Sequence, residues 1–226
     1  KSFVTNGTIA DILITYTTTN KELGFSGINT FILDKKEHSF IVQQDLKKSG
    51  LKTCKAAVIS YDDLIVSTDF VLGKKNKGAL IFNASMEWER VCLGAIHIGT
   101  MERILKKTIS FFNSKNKNAN MPNTFQSISH KLAALKVKIE ASKLLIYKAA
   151  QMLDENKSVG MHASIVKYHV SETYKEFSQQ IFQMYASHGF KESHTIDRLL
   201  RDAHASTIYS GTSEIQLNII ANKLGI

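Results

Sequence analysis

The chain has 226 residues, of which 43% are hydrophobic, and it carries a formal net charge of +9. This size and composition allow one or two buried cores and exclude a chain that is disordered throughout. No apolar run approaches the roughly 18–20 residues that span a bilayer, and the first residues lack the pattern of a secretory signal. We therefore expect a cytoplasmic protein without a membrane span.

The positive charge comes from lysines that are scattered along the chain. A basic surface attracts phosphate groups and acidic proteins. No helix-turn-helix or stacking-aromatic pattern accompanies the lysines, so we predict no nucleic-acid partner. A phosphate-bearing cofactor or an acidic carrier protein would use this charge, and a merely solvated lysine-rich surface is the simpler interpretation. The cysteines, Cys54 and Cys92, form no CxxC pair and are expected to be reduced. The histidines lack metal-ligand spacing, which predicts no metal site.

The first third of the chain is typical of β-structure. Residues 1–72 are rich in β-branched residues and are interrupted by turn signals. Strands are predicted over 10–17, 29–33 and 56–61, with a loop from Asn20 to Gly27 between the first two. The order of these segments favours an antiparallel β region.

From about residue 80 the apolar spacing becomes helical and stays so. Helices are predicted over about 80–112, 125–153, 161–187 and 195–203, with a last helix after Thr212. Pro122 is placed where the second helix begins, and Ser213 with Gln216 fits a capping box at the last one. Short links between long amphipathic helices favour an antiparallel bundle. The predicted class is α+β, with a β domain over 1–79 and a four-helix-type bundle over 80–226.

Several motifs follow one another along the chain: Phe3-Val4-Thr5-Asn6-Gly7, Gly50-Leu51-Lys52-Thr53-Cys54, Tyr61-Asp62-Asp63, Glu89-Arg90, Phe125-Gln126 and the closing run from Arg201 to Gln216. In this order they resemble the C-terminal two-thirds of the flavin-dependent acyl-CoA dehydrogenases. The resemblance implies an antiparallel middle domain, incomplete here, followed by a helical bundle. The family's N-terminal helical domain has no counterpart, so we expect the chain to be a fragment of a longer protein.

The resemblance also implies a base that removes the α-proton of an acyl thioester. Many members carry this glutamate where the present chain has Ser210. A subset that resembles the isovaleryl- and long-chain-specific enzymes carries it on the first bundle helix, directly before an arginine. Glu89 stands directly before Arg90 and shares a helical face with Leu93 and Ile96. We therefore predict Glu89 as the base. The alternative is that Glu89 has no catalytic role and only interacts favourably with the helix dipole, as acidic residues in an early helix turn do.

Ser210 is predicted to act through its backbone N–H. In the family this N–H and a flavin hydroxyl polarise the thioester carbonyl. A small residue at this position also leaves room for Glu89 or for a branched acyl group. A nucleophilic serine is the alternative, but no histidine–acid pair follows in a recognisable elbow. The resemblance further implies that Arg90, Tyr209 and Gly211 contact the substrate.

FAD is the cofactor that the resemblance implies. The predicted cofactor contacts are Phe3, Thr5, Lys115, Gln126, Gln183, Ser187, Gly189, Thr212 and Glu214. Two segments depart from the family pattern. Lys115 replaces an arginine and lacks its bidentate fork, and Ala186 and Ser187 replace two glycines that allow close backbone approach.

These observations lead to the hypothesis of FAD-dependent α,β-dehydrogenation of an acyl thioester, with Glu89 as α-proton base and flavin N5 as hydride acceptor. The expected substrate is an acyl-CoA or an acyl or aminoacyl group on a carrier protein, as in a biosynthetic enzyme. The expected electron acceptor is an electron-transfer flavoprotein or oxygen. The family suggests a homo-oligomer, tetramer or dimer, and leaves a mitochondrial matrix location open. The alternative is a flavin-free scaffold or assembly subunit, which the retained Glu89 disfavours.

Overall fold

The computed structural model describes residues 1–118, 126–191 and 195–226, with only the backbone for 115–118. The strands in these ranges are β1 (Val4–Thr5), β2 (Ile12–Thr18), β3 (Ile28–Asp34), β4 (Ile41–Asp45) and β5 (Ala56–Ser60). The α-helices are α1 (Gly78–Asn118), α2 (Gln126–Asp154), α3 (Gly160–Tyr185), α4 (Thr195–Ala205) and α5 (Ser213–Leu224). The predicted α+β class is confirmed.

The chain divides into two compact units, Lys1–Ser85 and Met86–Ile226. The predicted limits of the domains in the complete protein, 1–79 and 80–226, stay a prediction. In the first unit, β2 and β3 form an antiparallel pair, and a second antiparallel sheet has the order β1-β5-β4. A small core of buried apolar residues holds this unit together, and it contains Leu13, Leu33, Ala57 and Ile59.

The start of α1 lies close to β3 within the first unit. The Asn76 backbone N–H donates to Asn29 Oδ1 at 2.6 Å, and Asn29 Nδ2 donates to Asn76 Oδ1 at 3.2 Å. A Cβ on Gly78 would lie 2.8 Å from the carbonyl carbon of Asn29 and 2.9 Å from the carbonyl oxygen of Ile28. Because both atoms belong to the backbone, only glycine fits at this first residue of α1.

The second unit is built around α3, which packs against α2, α4 and α5. The apolar positions of α3 recur at helical spacing, and this periodicity buries one broad face. Its core members include Val166, Val170, Phe177 and Ile181. Residues from α1 and α2 complete the same core, among them Met101, Ile104, Leu135 and Ile139.

The last helix begins directly after Thr212, as predicted, but the structure corrects its predicted cap. Thr212, not Ser213, is the N-cap, and its hydroxyl oxygen accepts from the Ile215 N–H at 3.4 Å. Ser213 instead donates to Glu172 Oε1 on α3 at 2.5 Å. The capping-box prediction was wrong because Ser213 has a partner on α3 and Gln216 bonds to the carbonyl oxygens of Ser210 and Gly211. Pro122 and Phe125, which were placed at the start of the second helix, lie outside the described residues.

The described ranges can be searched for a membrane-spanning helix and for a metal site. None of the helices in 1–118, 126–191 or 195–226 combines the length and the apolar character needed to cross a membrane. Over the same residues, no group of three or more histidine, cysteine or acidic side chains has the arrangement of a metal site.

Candidate active site

The candidate site is centred on the turn between α4 and α5, which we call the closing turn (residues 206–212). Two consecutive residues of this turn have left-handed backbone conformations, Ser210 with a φ of 57° and Gly211 with a φ of 91°. The Ser213 N–H donates to the Thr207 carbonyl oxygen at 3.0 Å and so closes the turn. A Cβ on Gly211 would lie 2.6 Å from Gln216 Nε2, which makes glycine necessary there.

Helix α1 holds the closing turn from one side. The Ser210 hydroxyl donates a short hydrogen bond to Glu89 Oε1, although the two residues are 121 positions apart. The next residue, Arg90, donates from Nε to the Ser210 carbonyl oxygen at 3.2 Å. The structure therefore brings together Glu89, Arg90, Ser210 and Gly211, four of the residues that the sequence predicts for catalysis and substrate binding.

Helix α5 holds the same turn from the other side through Gln216. This side chain is completely buried, and its Nε2 donates to the carbonyl oxygens of Ser210 at 3.2 Å and Gly211 at 3.0 Å. The sequence analysis assigned Gln216 only to a cap. Its buried position could have been found from the apolar spacing around it, but its partners could not.

Ser210 differs in the hydrogen bonding of its two backbone groups, the carbonyl oxygen and the N–H. Its carbonyl oxygen accepts from both Arg90 and Gln216. Among the residues that the structure describes, none accepts a hydrogen bond from the Ser210 N–H. A turn fixed through its carbonyl and side chain, with an unused N–H beside a carboxylate, can bind a polarised carbonyl oxygen.

The side chains near Glu89 on α1 range from half-buried to exposed. Arg90 is half-buried, and this burial lowers the pKa of its guanidinium, while the carboxylates of Glu89 and Glu87 act in the opposite direction. On the face that Glu89 shares, Cys92 is exposed and Ile96 is 63% exposed. The predicted apolar stripe is thus present but largely uncovered.

Tyr209 and Lys167 complete the surroundings of the closing turn. The Tyr209 hydroxyl lies 2.9 Å from His97 Nε2 on α1. Lys167 on α3 is only 5% exposed, and it interacts electrostatically with Glu172, Arg90 and Glu214. The sequence analysis did not single out His97 or Lys167. The position of Lys167 in the apolar repeat of α3 is the signal that could have revealed its burial.

The predicted cofactor contacts in the second unit lie at helix ends. Gln126 begins α2, and Gln183, Ser187 and Gly189 lie at or just after the C-terminal end of α3. Of these, Gly189 is buried and the three side chains are exposed. The side chain of Lys115 falls outside the described residues, so the structure says nothing of its predicted role.

Thr212 and Glu214 lie at the start of α5, Thr212 as its N-cap and Glu214 in its first turn. A hydrogen bond from the Thr212 hydroxyl is the main cause of the lowered pKa of Glu214, and the Glu214 N–H adds to it. Glu214 is exposed.

In the first unit, Phe3 is 70% exposed and has a φ of 55°, and Thr5 is an exposed residue of β1. The described geometry thus presents an aromatic ring and a hydroxyl near the end of one sheet.

A family model for the C-terminal domain of acyl-CoA dehydrogenases matches residues 76–225. The chain belongs to the acyl-CoA dehydrogenase family. This confirms the resemblance predicted from the motifs. The match covers all five described α-helices in full, so it includes Glu89 and the closing turn.

Individual acyl-CoA dehydrogenase relatives match nearly the entire chain. The L-prolyl peptidyl-carrier-protein dehydrogenase of Pseudomonas fluorescens is 34% identical over 224 residues, which are 99% of this chain and 59% of that protein. The structure of butyryl-CoA dehydrogenase from Megasphaera elsdenii has a TM-score of 0.92 at 31% identity, and covers 100% of this chain and 59% of that one. The structure of PigA with FAD and proline has a TM-score of 0.92 at 28% identity, with coverages of 100% and 59%. The chain therefore spans about three fifths of the length of these relatives.

Proposed function

We propose that this chain is part of an enzyme that carries out FAD-dependent α,β-dehydrogenation of an acyl thioester. The observation that carries the proposal is the contact between Glu89 and the closing turn. In this contact the Glu89 carboxylate accepts from the Ser210 hydroxyl, and the N–H of the same serine has no acceptor among the described residues. The relatives support it, because their names include dehydrogenases of a carrier-bound prolyl group and of butyryl-CoA.

Two groups of this chain act on the thioester. The Ser210 N–H donates to the thioester carbonyl oxygen and stabilises the negative charge that develops there as the α-proton leaves. The Glu89 carboxylate takes that proton, since a base must reach the α-carbon while the carbonyl is held. Arg90 and Gln216 keep the closing turn in place through its carbonyl oxygens.

The residues present fit an FAD cofactor in character. Phe3 offers an exposed aromatic ring and Thr5 an exposed hydroxyl, which suit an isoalloxazine ring. The exposed amides and hydroxyl of Gln126, Gln183 and Ser187 suit a sugar–phosphate chain. FAD, when bound, supplies the acceptor for the β-hydride. The FAD complex of a relative at 28% identity supports the same cofactor.

The substrate carrier is proposed to be CoA or a peptidyl or acyl carrier protein. Both carry phosphate groups and acidic character, which suit the net charge of +9. The relative at 34% identity acts on a carrier-bound prolyl group, and this favours a carrier-bound aminoacyl group. The proposed electron acceptor is an electron-transfer flavoprotein or oxygen, and the proposed assembly is a homo-oligomer.

The test is anaerobic reduction of the flavin in the purified full-length protein by a panel of CoA- and carrier-bound thioesters. The wild type is expected to lose its oxidised flavin absorbance with at least one thioester. Glu89→Gln is expected to slow this reduction by at least about 10³-fold, because the amide cannot take a proton. Ser210→Ala keeps the N–H and loses one hydrogen bond to Glu89, so we expect a loss of roughly tenfold.

Glu87→Gln is the matched control, because it removes a carboxylate two residues away on the same helix. It is expected to reduce flavin at the wild-type rate. Equal rates for Glu89→Gln and the wild type would contradict the assignment of the base. A protein that takes up no FAD on reconstitution would contradict the enzyme and favour a scaffold subunit.

A further inference from the structure

A cluster of three aromatic side chains, two of them buried and one partly buried, lies at the closing turn and has no part in the chemistry proposed above. It consists of His97 on α1, Tyr174 on α3 and Tyr209 on the closing turn. The His97 and Tyr174 rings are stacked, with centroids 4.7 Å apart and planes inclined by 14°. The Tyr209 hydroxyl lies 2.9 Å from His97 Nε2. His97 itself is only 8% exposed.

The cluster is linked directly to the group that binds the carbonyl. The Ser210 N–H belongs to the peptide unit that begins at the carbonyl carbon of Tyr209, and a peptide unit is planar. The position of Tyr209 therefore helps to set the direction in which this N–H points. Arg90 and Gln216 fix the other side of Ser210, through its carbonyl oxygen, but neither contact fixes the plane of the preceding peptide.

His97 also lies on the same helix as the proposed base. Glu89 and His97 are both residues of α1, separated by about two helical turns. One rigid helix therefore holds Glu89 against the Ser210 hydroxyl and His97 against the Tyr209 hydroxyl. The contacts of α1 with Ser210 and with Tyr209 together set the distance between the proposed base and the N–H that binds the carbonyl.

The groups of the cluster remain uncharged near neutral pH. Burial, and secondarily the charge of Lys167, lowers the pKa of His97 to about 4. Burial also raises the pKa of the Tyr209 hydroxyl, with Tyr174, Asp202 and Glu89 acting in the same direction. The hydrogen bond between them is therefore one between neutral partners, which suits a fixed support better than a proton carrier.

We infer that His97 is a positioning residue for the proposed dehydrogenation: through the Tyr209 hydroxyl it orients the 209–210 peptide unit so that the Ser210 N–H meets the thioester carbonyl. This inference rests on the proposed function. His97 and Tyr174 are not among the site residues predicted from the sequence, whereas Tyr209 was predicted there as a substrate contact.

The experiment uses the full-length, FAD-loaded protein and the thioester that reduces its flavin. Tyr209→Phe removes only the hydroxyl, His97→Leu removes the ring nitrogen, and His97→Gln offers an amide near the position of Nε2. We expect Tyr209→Phe and His97→Leu each to lower the limiting rate of flavin reduction roughly three- to tenfold. The double variant is expected to be no slower than the slower single variant, and His97→Gln is expected to recover most of the rate.

A second readout follows the carbonyl directly. An acetyl thioester has no β-carbon and cannot be dehydrogenated, so its ¹³C-labelled carbonyl can be observed by infrared difference spectroscopy while bound. The wild type is expected to shift the carbonyl stretch to lower wavenumber, and the two variants are expected to shift it less. His204→Leu, an exposed histidine on α4, is the control and should match the wild type.

The outcomes separate the inference from the function on which it rests. Wild-type rates and a wild-type carbonyl shift in both Tyr209→Phe and His97→Leu would overturn the inference and leave the proposed function intact. A lowered melting temperature with both readouts unchanged would overturn it too, because the cluster would then be structural only. No flavin reduction in the wild type would contradict the proposed function and the inference with it. If His97→Leu does not fold, Tyr209→Phe tests the same hydrogen bond.

Discussion

Lys167 is a buried cation whose ammonium group has no hydrogen-bond acceptor among the described residues. Its burial lowers its pKa to about 8; Glu172 and Glu214 oppose this shift, and Arg90 adds to it. Removing an ammonium group from water is costly unless it gains hydrogen bonds in return. Lys167 is therefore expected to lower the free energy of unfolding in the pH range where it is charged.

Replacing Lys167 by methionine is predicted to stabilise the protein at pH 7 by about 1–3 kcal/mol. The folded-state pKa is below the unfolded value, so the unfolded chain binds more protons between about pH 8 and 10.5. The stability of the wild type consequently rises with pH in this window. The advantage of Lys167→Met should be complete below pH 8 and should shrink toward pH 10.5.

Urea unfolding of both proteins at pH 7 and pH 9.5 measures this difference. Lys148→Met, which removes an exposed lysine on α2, is the control and should change the free energy of unfolding by less than about 0.5 kcal/mol. A Lys167→Met protein that is less stable than the wild type at pH 7 would show that the ammonium group has a favourable partner.

At the level of elements, the backbone of β3 leaves no room for a side chain at Gly78, the first residue of α1. Gly78→Ala would place a Cβ within 3 Å of two backbone atoms of β3, which cannot move as a side chain can. We predict a loss of at least about 2 kcal/mol in the free energy of unfolding, because the helix or the strand must shift. Thermal or urea unfolding measures this loss.

Gly99 provides the comparison on the same helix. A Cβ at this position meets no atom within 4 Å, and alanine is the better helix former by up to about 1 kcal/mol. Gly99→Ala is therefore expected to be neutral or stabilising. Equal effects of the two substitutions would contradict the argument that close approach to β3, rather than helix propensity, decides the outcome at Gly78.

The helices were predictable from the sequence because their apolar spacing repeats over many turns. The predicted end of the third helix, 187, is two residues beyond that of α3, whereas α1 continues six residues beyond its predicted end at 112. The strand β4 was missed, because all five of its residues are exposed and its Gln43-Gln44-Asp45 segment shows no apolar alternation. Local pattern therefore failed where an element buries nothing.

The site was predictable only in part, for a related reason. Glu89, Arg90 and the closing turn could be chosen from their motifs, although their functional roles remain predictions. The contacts of Gln216 with the turn and of His97 with Tyr209 could not be chosen. The partner of His97 is 112 positions away, and neither residue type nor spacing specifies a partner so distant along the chain. Gln216 bonds to residues only five and six positions before it, but the sequence does not indicate that its side chain turns back onto the closing turn.

At the scale of the whole molecule, the net charge of +9 bears on partner binding. If the substrate is carried by CoA or by an acidic protein, the Michaelis constant should rise with ionic strength, because salt screens the attraction. We predict an increase of roughly three- to tenfold between 50 and 300 mM salt. Steady-state kinetics with an excess of electron acceptor would measure it.

The same acyl group on pantetheine, which lacks phosphate, is the control substrate. Its Michaelis constant is expected to change little over this range of salt. A similar salt dependence for both substrates would locate the effect in the protein itself rather than in recognition of the charged carrier.

The hydrogen bond between Ser210 and Glu89 has a consequence for the reaction cycle that we propose. A hydroxyl group can donate to a carboxylate and can equally accept from a carboxylic acid. Ser210 can therefore stay bonded to Glu89 before and after the α-proton arrives, by rotating its own hydrogen rather than by moving the turn. The closing turn would then keep one geometry through both halves of a turnover, and the enzyme would return to its starting state without rearranging its backbone.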